Sequence, residues 1–114
     1  MNRGEDDPLA VVRSYFDHMQ RGDVEVSSIF ADDARLVGLG GEVVGRDAID
    51  AFYRSSIERA APAPRPLGPM LADGPRVAAE IEITLADGTV IHVMDLFEVH
   101  DGRIATLTYF VADH

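Results

Sequence analysis

The stretch VMDLFEVHDGRI, residues 93–104, decides the fold of this chain. Side chains along a β-strand point alternately to opposite faces, so Phe97 and Val99 share one apolar face. Asp95 falls on that same face, in the middle of the apolar row. The tripeptide His100-Asp101-Gly102 is typical of a hairpin turn. The stretch therefore predicts a strand with one carboxyl group on its inner face, followed by a turn into another strand.

Further strands are predicted on both sides of this one. Residues 77–85 precede it and are joined to it by Ala86-Asp87-Gly88, a second hairpin signal. Residues 104–111 follow it. With the central strand over residues 90–99, the pattern predicts three long antiparallel strands.

Three helices are predicted in the first half of the chain. The first begins at Asp7-Pro8, because Asp accepts hydrogen bonds from first-turn amides and Pro suits the first helical position, and it ends at Gly22. Asp23 caps a second, shorter helix that runs through Phe30. Gly45 or Asp47 precedes the third helix. Apolar residues recur at helical spacing in the first and third: Leu9, Val12, Phe16 and Met19, then Ile49, Phe52, Tyr53 and Ile57.

The connections are polar or rich in glycine and proline. Asp32-Asp33 is predicted as a turn before a short strand at residues 35–37, and the glycines of residues 38–41 as a tight loop. Residues 60–69 hold four of the six prolines. That density suits a semi-rigid connection better than a helix or strand. A domain boundary there is rejected, because neither side offers enough apolar surface for its own core.

The totals predict one globular domain over residues 1–114. Helices followed by a strand meander give an α+β fold, with three N-terminal helices packed on a curved, mainly antiparallel sheet. The net charge of −10 argues against nucleic acid or an anionic membrane as partners. The polar opening and the lack of a long apolar run predict neither a secretory signal nor a transmembrane helix, and hence a cytoplasmic location.

Several short motifs in a fixed order carry a family resemblance. They are Tyr15 with Gly22-Asp23, Ala31-Asp32-Asp33-Ala34, Gly45-Arg46, Ala51-Phe52-Tyr53-Arg54, Leu67-Gly68-Pro69, and Asp95 ahead of Asp101-Gly102-Arg103-Ile104. From Leu9 to Val111 the chain resembles the ketosteroid isomerases. These belong to a cone-shaped α+β family together with nuclear transport factor 2 and the SnoaL-like polyketide cyclases.

The resemblance implies a steroid isomerase in which a helix tyrosine and a neutral strand aspartic acid form an oxyanion hole. Tyr15 and Asp95 match these two catalytic residues, and Tyr53 matches a tyrosine that supports the first. Burial disfavours a charged carboxylate, so the pKa of Asp95 is independently expected to be raised. The other residues predicted to line the pocket are Phe52, Val93, Phe97, Leu107, Tyr109 and Val111.

The family's general base is missing from this sequence. The matching position is Gly38, and no Asp or Glu occurs between Asp33 and Glu42. Glu42, Glu80 and Glu82 are possible substitutes, although strand alternation favours a solvent-facing position for the last two. Tyr109 stands where the family commonly has a small residue, and is expected to fill space that a steroid would need.

Several alternatives stay open at this stage. Asp95 is either a pocket acid or a buried carboxyl satisfied by a backbone amide or by Tyr15. The protein is either an isomerase, a binding module that has lost the chemistry, or a polyketide cyclase or dehydratase with Asp95 as acid and base. The related epoxide hydrolases carry an Arg two residues before the strand Asp, where this chain has Val93, so that reaction ranks low.

No cofactor or metal is predicted, because the four histidines lack metal-ligand spacing and there is no cysteine. A nucleophilic triad has neither a cysteine nor a serine elbow to build on. The expected small-molecule partner is a hydrophobic ligand. Met94 and Leu96 give the central strand an apolar outer face, which predicts a homodimer through the sheet.

Overall fold

The computed structural model of the protein describes residues 7–38 and 40–112. Within this part of the chain, helix α1 is Pro8–Gln20, a 3-10 helix covers Val24–Ile29, and helix α2 is Arg46–Ala60. The strands are β1 Phe30–Gly38, β2 Gly41–Val44, β3 Ala63–Pro66, β4 Leu71–Asp73, β5 Arg76–Thr84, β6 Val90–His100 and β7 Arg103–Val111. The predicted α+β class is confirmed, with a 3-10 helix as the second of the three helices.

All described strands join one sheet in the order β2-β1-β7-β6-β5-β3, and β4 also pairs with β5. Only the β1–β7 pair is parallel among the described pairings. The α1 helix contacts β3, β5, β6 and β7, whereas α2 contacts β1 and β2. Both helices therefore cover one face of the sheet, which is called the inner face below.

The first helix follows the sequence prediction closely. Asp7 accepts a hydrogen bond from the Leu9 amide at 3.1 Å, and Pro8 occupies the first turn. The chain leaves the helix at Gly22, whose φ of +66° favours glycine. Tyr15 lies on the buried side of this helix, so the amphipathic pattern aims a phenol into the interior.

Two predicted connections are strands instead. Asp32-Asp33 lies inside β1, where the pairing with β7 shifts register between Phe30 and Arg35, so the exposed pair marks an irregularity in a strand and no turn. In the proline segment, Ala63–Pro66 pairs with β5 as an edge strand. Prolines are tolerated there because an edge strand has one side without hydrogen-bonding partners.

The register of the three long strands fixes which side chains face inward. Asp95 lies directly between Ala79 on β5 and Tyr109 on β7. Val93 lies next along the inner face, 3% exposed, and Ile81 opposite it is 1% exposed. The alternation predicted from the sequence is therefore confirmed, and Glu80 and Glu82 fall on the outer face.

None of the described helices is long and apolar enough to span a membrane.

Candidate active site

A cavity of about 120 Å³ lies between the two helices and the inner face of the sheet. Its polar groups come from Tyr15, Tyr53, Ser56, Asp95 and Tyr109. Its apolar wall consists of Met19, Phe52, Pro62, Pro64, Ile81, Ile83, Leu85, Ile91 and Val93. A concave, mostly apolar cavity with a few convergent polar groups is the usual form of a small-molecule site.

Three tyrosine hydroxyls meet at one end of the cavity. The Tyr15 oxygen lies 2.9 Å from that of Tyr53 and 3.1 Å from that of Tyr109, and the last two are 2.7 Å apart. These are the only tyrosines in the chain. Each hydroxyl has one proton to donate, so a closed ring of three hydrogen bonds uses all three protons. The set is called the tyrosine ring below.

The tyrosine ring consists of hydroxyls that stay protonated. Burial raises the pKa of both Tyr15 and Tyr53 well above the usual value, and the neighbouring Tyr109 adds to the effect. Burial raises the pKa of Tyr109 as well, followed by the nearby Asp95 carboxyl. A ring hydroxyl can therefore donate to a ligand oxygen if it gives up one bond within the ring, but it cannot supply a phenolate base near neutral pH.

Asp95 is fully buried and has no hydrogen-bonding partner. Its exposure is 0%, and neither carboxyl oxygen is paired with any described group. Burial raises its pKa to about 8. The carboxyl is therefore mostly protonated at pH 7 and can gain or lose a proton close to neutrality.

An Asp95 satisfied by a backbone amide or by Tyr15 is ruled out by this geometry. The Tyr15 hydroxyl bonds to Tyr53 and Tyr109 instead. A buried polar group without a partner costs free energy, and such groups concentrate at functional sites. The unpaired carboxyl is thus the feature of the cavity that most needs a ligand to explain it.

The structure sorts the predicted pocket residues into two sets. Phe52, Val93 and Tyr109 line the cavity, as do Tyr15, Tyr53 and Asp95. Phe97, Leu107 and Val111 do not. Phe97 packs edge-on against the Tyr15 ring, with centroids 5.3 Å apart, and pairs across the sheet with the fully buried Leu107.

Val111 lies at the end of β7 and is 45% exposed. Of the three β7 residues predicted to line the pocket, only Tyr109 does so. Leu107 lies deeper in the core than the cavity, and Val111 lies beyond its edge.

The position of the missing base is closed to any side chain. Gly38 has a φ of +127°, and a Cβ built on it would lie 2.8 Å from the carbonyl oxygen of Tyr109. An aspartate there would require both a strained backbone and a displaced strand. The glycine is thus built into the packing between β1 and β7.

The three glutamates considered as substitutes face away from the cavity. Glu42 forms an ion pair with Arg35. Glu80 lies 2.7 Å from His92, and Glu82 lies 2.6 Å from Arg65. Asp95 is therefore the one carboxyl group among the described residues that line the cavity.

Sequence reasoning missed much of the apolar wall. Pro62 and Pro64 belong to the segment interpreted as a connection, and Leu85 and Ile91 flank the β5–β6 hairpin. Alternation along β5 and β6 does place Ile83 and Ile91 on the inner face. That signal could have found them, whereas nothing local marks the proline segment as part of a wall.

Among the described residues, no group of three or more His, Asp or Glu side chains could hold a metal ion. His92 and His100 each contact a glutamate on the outer face, Glu80 and Glu98 respectively. His114 lies outside the described residues.

A family model for the SnoaL-like domain matches residues 12–107. Since the match covers most of the chain, the protein belongs to the SnoaL-like family. No curated protein matches the chain.

Solved structures with the same fold differ in assigned activity. A protein from Sinorhizobium meliloti provisionally assigned as a polyketide cyclase is 26% identical, with a TM-score of 0.80 over 88% of this chain and 93% of that one. A provisionally assigned ketosteroid isomerase from Kribbella flavida is 23% identical, with a TM-score of 0.82 over 98% and 80%. An epoxide hydrolase of Mycobacterium tuberculosis is 22% identical, with a TM-score of 0.83 over 92% and 82%. At the identities of the last two, the likeness shows the fold alone.

Proposed function

We propose that the protein is an enzyme that exchanges a proton with a small, apolar carbonyl compound. Asp95 is the acid and base, and Tyr15 donates the hydrogen bond that holds the substrate oxygen. The single observation that carries this proposal is the fully buried, unpaired carboxyl of Asp95 in the cavity wall. The cytoplasmic location predicted from the sequence also stays a prediction.

The chemistry needs a group that titrates near the working pH. With a pKa of about 8, roughly a tenth of Asp95 is ionised at pH 7. The ionised carboxylate takes a proton from the carbon next to the carbonyl, which leaves an enolate and a neutral acid. The neutral acid then returns the proton to the same carbon or to another one.

The tyrosine ring supplies stabilisation for the enolate oxygen. Tyr15 can turn its proton from the ring toward a ligand oxygen, while the 2.7 Å bond between Tyr53 and Tyr109 remains. Hydrogen-bond donors placed where negative charge develops are commonly the largest contributors to such catalysis. Their raised pKa values keep the tyrosines in the donating form.

The steroid isomerase form of this chemistry has less support. It uses a separate carboxylate base opposite the oxyanion hole, and Gly38 leaves no room for one. A one-acid reaction of the cyclase or dehydratase kind needs only Asp95. The Sinorhizobium protein, the one structure above with more than 25% identity, bears a polyketide cyclase assignment, which favours the same choice.

The proposal can be tested before the natural substrate is known. Cyclohexanone in D₂O exchanges its α-hydrogens slowly, and proton NMR follows the loss of signal. We expect the protein to accelerate this exchange, with a rate that rises with pH and levels off above about pH 8, since the ionised form of Asp95 is the base. Asp95→Asn should lower the rate by about 100-fold or more.

Glu80→Gln is the matched control, because it makes the same change of carboxyl to carboxamide on the outer face of the sheet. It should leave the exchange rate unaltered. Exchange no faster than in buffer, or equal rates in wild type and Asp95→Asn, contradicts the proposal. Phenol binding without any exchange would support the rival function, a binding module without chemistry.

We also propose that the outer face of the sheet pairs with a second copy of the chain. Met94 and Phe110 lie directly opposite each other there, 41% and 53% exposed. Leu71 on β4, which pairs with β5, is 70% exposed. An isologous two-fold interface buries such a patch against itself. Two pairs of polar side chains lie beside the patch, Glu80 with His92 and Glu98 with His100. They provide hydrogen-bond donors and acceptors for the rim of the interface.

Sedimentation at micromolar concentration tests the dimer. Wild type should sediment as a dimer and Phe110→Glu as a monomer. Val44→Glu introduces the same charge at an exposed apolar residue on the edge strand β2, which β1 separates from β7, and should leave the dimer intact. A monomeric wild type contradicts this proposal.

A further inference from the structure

The cavity is small for a ligand-binding site. Its volume of about 120 Å³ is close to that of an engineered cavity of about 150 Å³ that accepts benzene. Typical drug-sized sites begin at roughly 300 Å³. A single six-membered ring therefore suits the space, and a four-ring steroid is too large for it.

Tyr109 is placed to set this limit. Its side chain lines the cavity from β7, next to Asp95 in the register of the sheet. The other aromatic side chains in the lining, Tyr15, Phe52 and Tyr53, come from the two helices, and the rest of the sheet and proline wall is aliphatic side chains and prolines. Tyr109 is the one large ring that the sheet itself sends into the cavity, because Phe97 packs beneath Tyr15 instead.

The Tyr109 side chain is held at both ends. Its hydroxyl bonds to Tyr15 and Tyr53 at 3.1 and 2.7 Å. Its backbone and Cβ lie so close to Gly38 that a Cβ on the glycine would come within 3.1 Å of the Tyr109 Cβ. To swing away from the cavity, Tyr109 would have to break two hydrogen bonds among buried hydroxyls, which is unfavourable. The ring therefore acts as a fixed wall.

We propose that Tyr109 is the specificity-determining residue of this site and restricts it to compounds with one small ring or a chain of similar size. The chemistry of the ligand, an oxygen that accepts a hydrogen bond from Asp95 or Tyr15, rests on the proposed function. The size limit rests on the cavity, the hydroxyl bonds and the Gly38 contact alone.

Binding of two phenols that differ by one fused ring tests the limit. Phenol and 2-naphthol present the same hydroxyl, so their affinities, measured by isothermal titration calorimetry, differ through size. Wild type should bind phenol at least tenfold more tightly than 2-naphthol. Tyr109→Ala should reverse this preference, with the ratio of the two affinities changed by tenfold or more toward 2-naphthol, because the Tyr109 ring no longer fills the space.

Tyr109→Phe is the matched variant, since it keeps the ring and removes only the hydroxyl. It should retain the preference for phenol. The preference should be smaller than in wild type, because the ring without its hydroxyl is held less firmly. If Tyr109→Ala does not fold, Tyr109→Leu replaces it with the same expected reversal. Equal affinity of wild type for both phenols, a ratio unaltered by the folded Ala or Leu variant, or failure of phenol to bind wild type overturns the proposal.

This binding experiment separates the size limit from the proposed reaction. If the protein binds phenol selectively but does not accelerate exchange in cyclohexanone, Tyr109 still sets the size limit and the proposed enzymatic function is wrong. If the protein accelerates exchange in a two-ring ketone such as 2-decalone as much as in cyclohexanone, the acid/base role of Asp95 stands and the size limit is wrong.

Discussion

The two faces of the central sheet hold carboxyl groups in opposite environments. On the inner face, Asp95 is 0% exposed and has no partner, and its pKa is raised to about 8. On the outer face, Glu80 follows Ala79, the residue of β5 that pairs with Asp95. The Glu80 side chain is 51% exposed and lies 2.7 Å from His92. The same chemical group is thus a neutral acid on one face and part of a solvated pair on the other. Desolvation, rather than residue type, makes the difference.

The faces differ in the same way in their apolar residues. The inner face buries its apolar side chains against two helices, except where the cavity interrupts them. The outer face leaves Met94 and Phe110 partly in solvent. One face therefore carries the candidate chemistry and the other the candidate dimer contact.

The largest expected effect is the pH dependence of stability. An unfolded aspartic acid ionises near pH 4, whereas folded Asp95 keeps its proton up to about pH 8. Between these values only the unfolded state releases the proton, so rising pH favours unfolding. The stability from this residue is complete below about pH 4 and is lost as the pH rises to about 8, at about 1.4 kcal/mol per pH unit.

Urea denaturation of wild type and Asp95→Asn measures this effect. From pH 5 to pH 7 the free energy of unfolding of wild type should fall relative to the variant by about 3 kcal/mol, because asparagine does not titrate. Glu80→Gln should follow the wild-type curve. Parallel curves for wild type and Asp95→Asn would mean that the two faces do not differ in the way described.

A smaller effect is expected where the inner face meets strand β1. Gly38→Ala introduces a Cβ within 2.8 Å of the Tyr109 carbonyl oxygen. Gly40→Ala also replaces a glycine of positive φ, but its Cβ meets nothing within 4 Å. The two variants share backbone strain and differ in crowding, so Gly38→Ala should be less stable by about 2 kcal/mol.

Thermal or urea unfolding of the two alanine variants gives this difference. Equal stabilities would indicate that β1 and β7 separate easily and that Gly38 does not hold Tyr109 in place. A Gly38→Asp protein that folds and gains steroid isomerase activity would refute the closed position of the base.

The smallest effect concerns the hydroxyl ring. Tyr15→Phe removes one hydroxyl and leaves the other two bonded to each other, so it should cost about 1 kcal/mol of stability. A double-mutant cycle with Tyr53→Phe should give a coupling energy of similar size, since the two hydroxyls share a bond. Full additivity of the two substitutions would argue against the ring.

Much of this architecture could be predicted because its signals are local. The alternation around Asp95 placed the acid on the buried face, and the hairpin turns at residues 86–88 and 100–102 set the order of the three long strands. The cap at Asp7 and the apolar spacing through Met19 placed Tyr15 on the buried side of α1. Each of these features depends on residues close together in the chain.

The errors have a common origin in contacts between distant segments. Asp32-Asp33 has the composition of a turn, yet pairing with β7 keeps it extended. The prolines of β3 fit an edge strand only because β5 lies beside them. Phe97 and Leu107 share the correct face but lie where the helices close over the sheet.

The fold class, the inward position of Asp95 and the lack of a carboxylate at Gly38 follow from the amino-acid order alone, because strand alternation, helix spacing and residue identity are properties of the chain. Three other features follow only from the folded core: the three tyrosine hydroxyls meet, Asp95 is left unpaired, and the cavity holds only about 120 Å³. These features depend on small differences in the distances between side chains on α1, α2, β6 and β7. Such distances are set by the packing of the whole core, which no local pattern encodes.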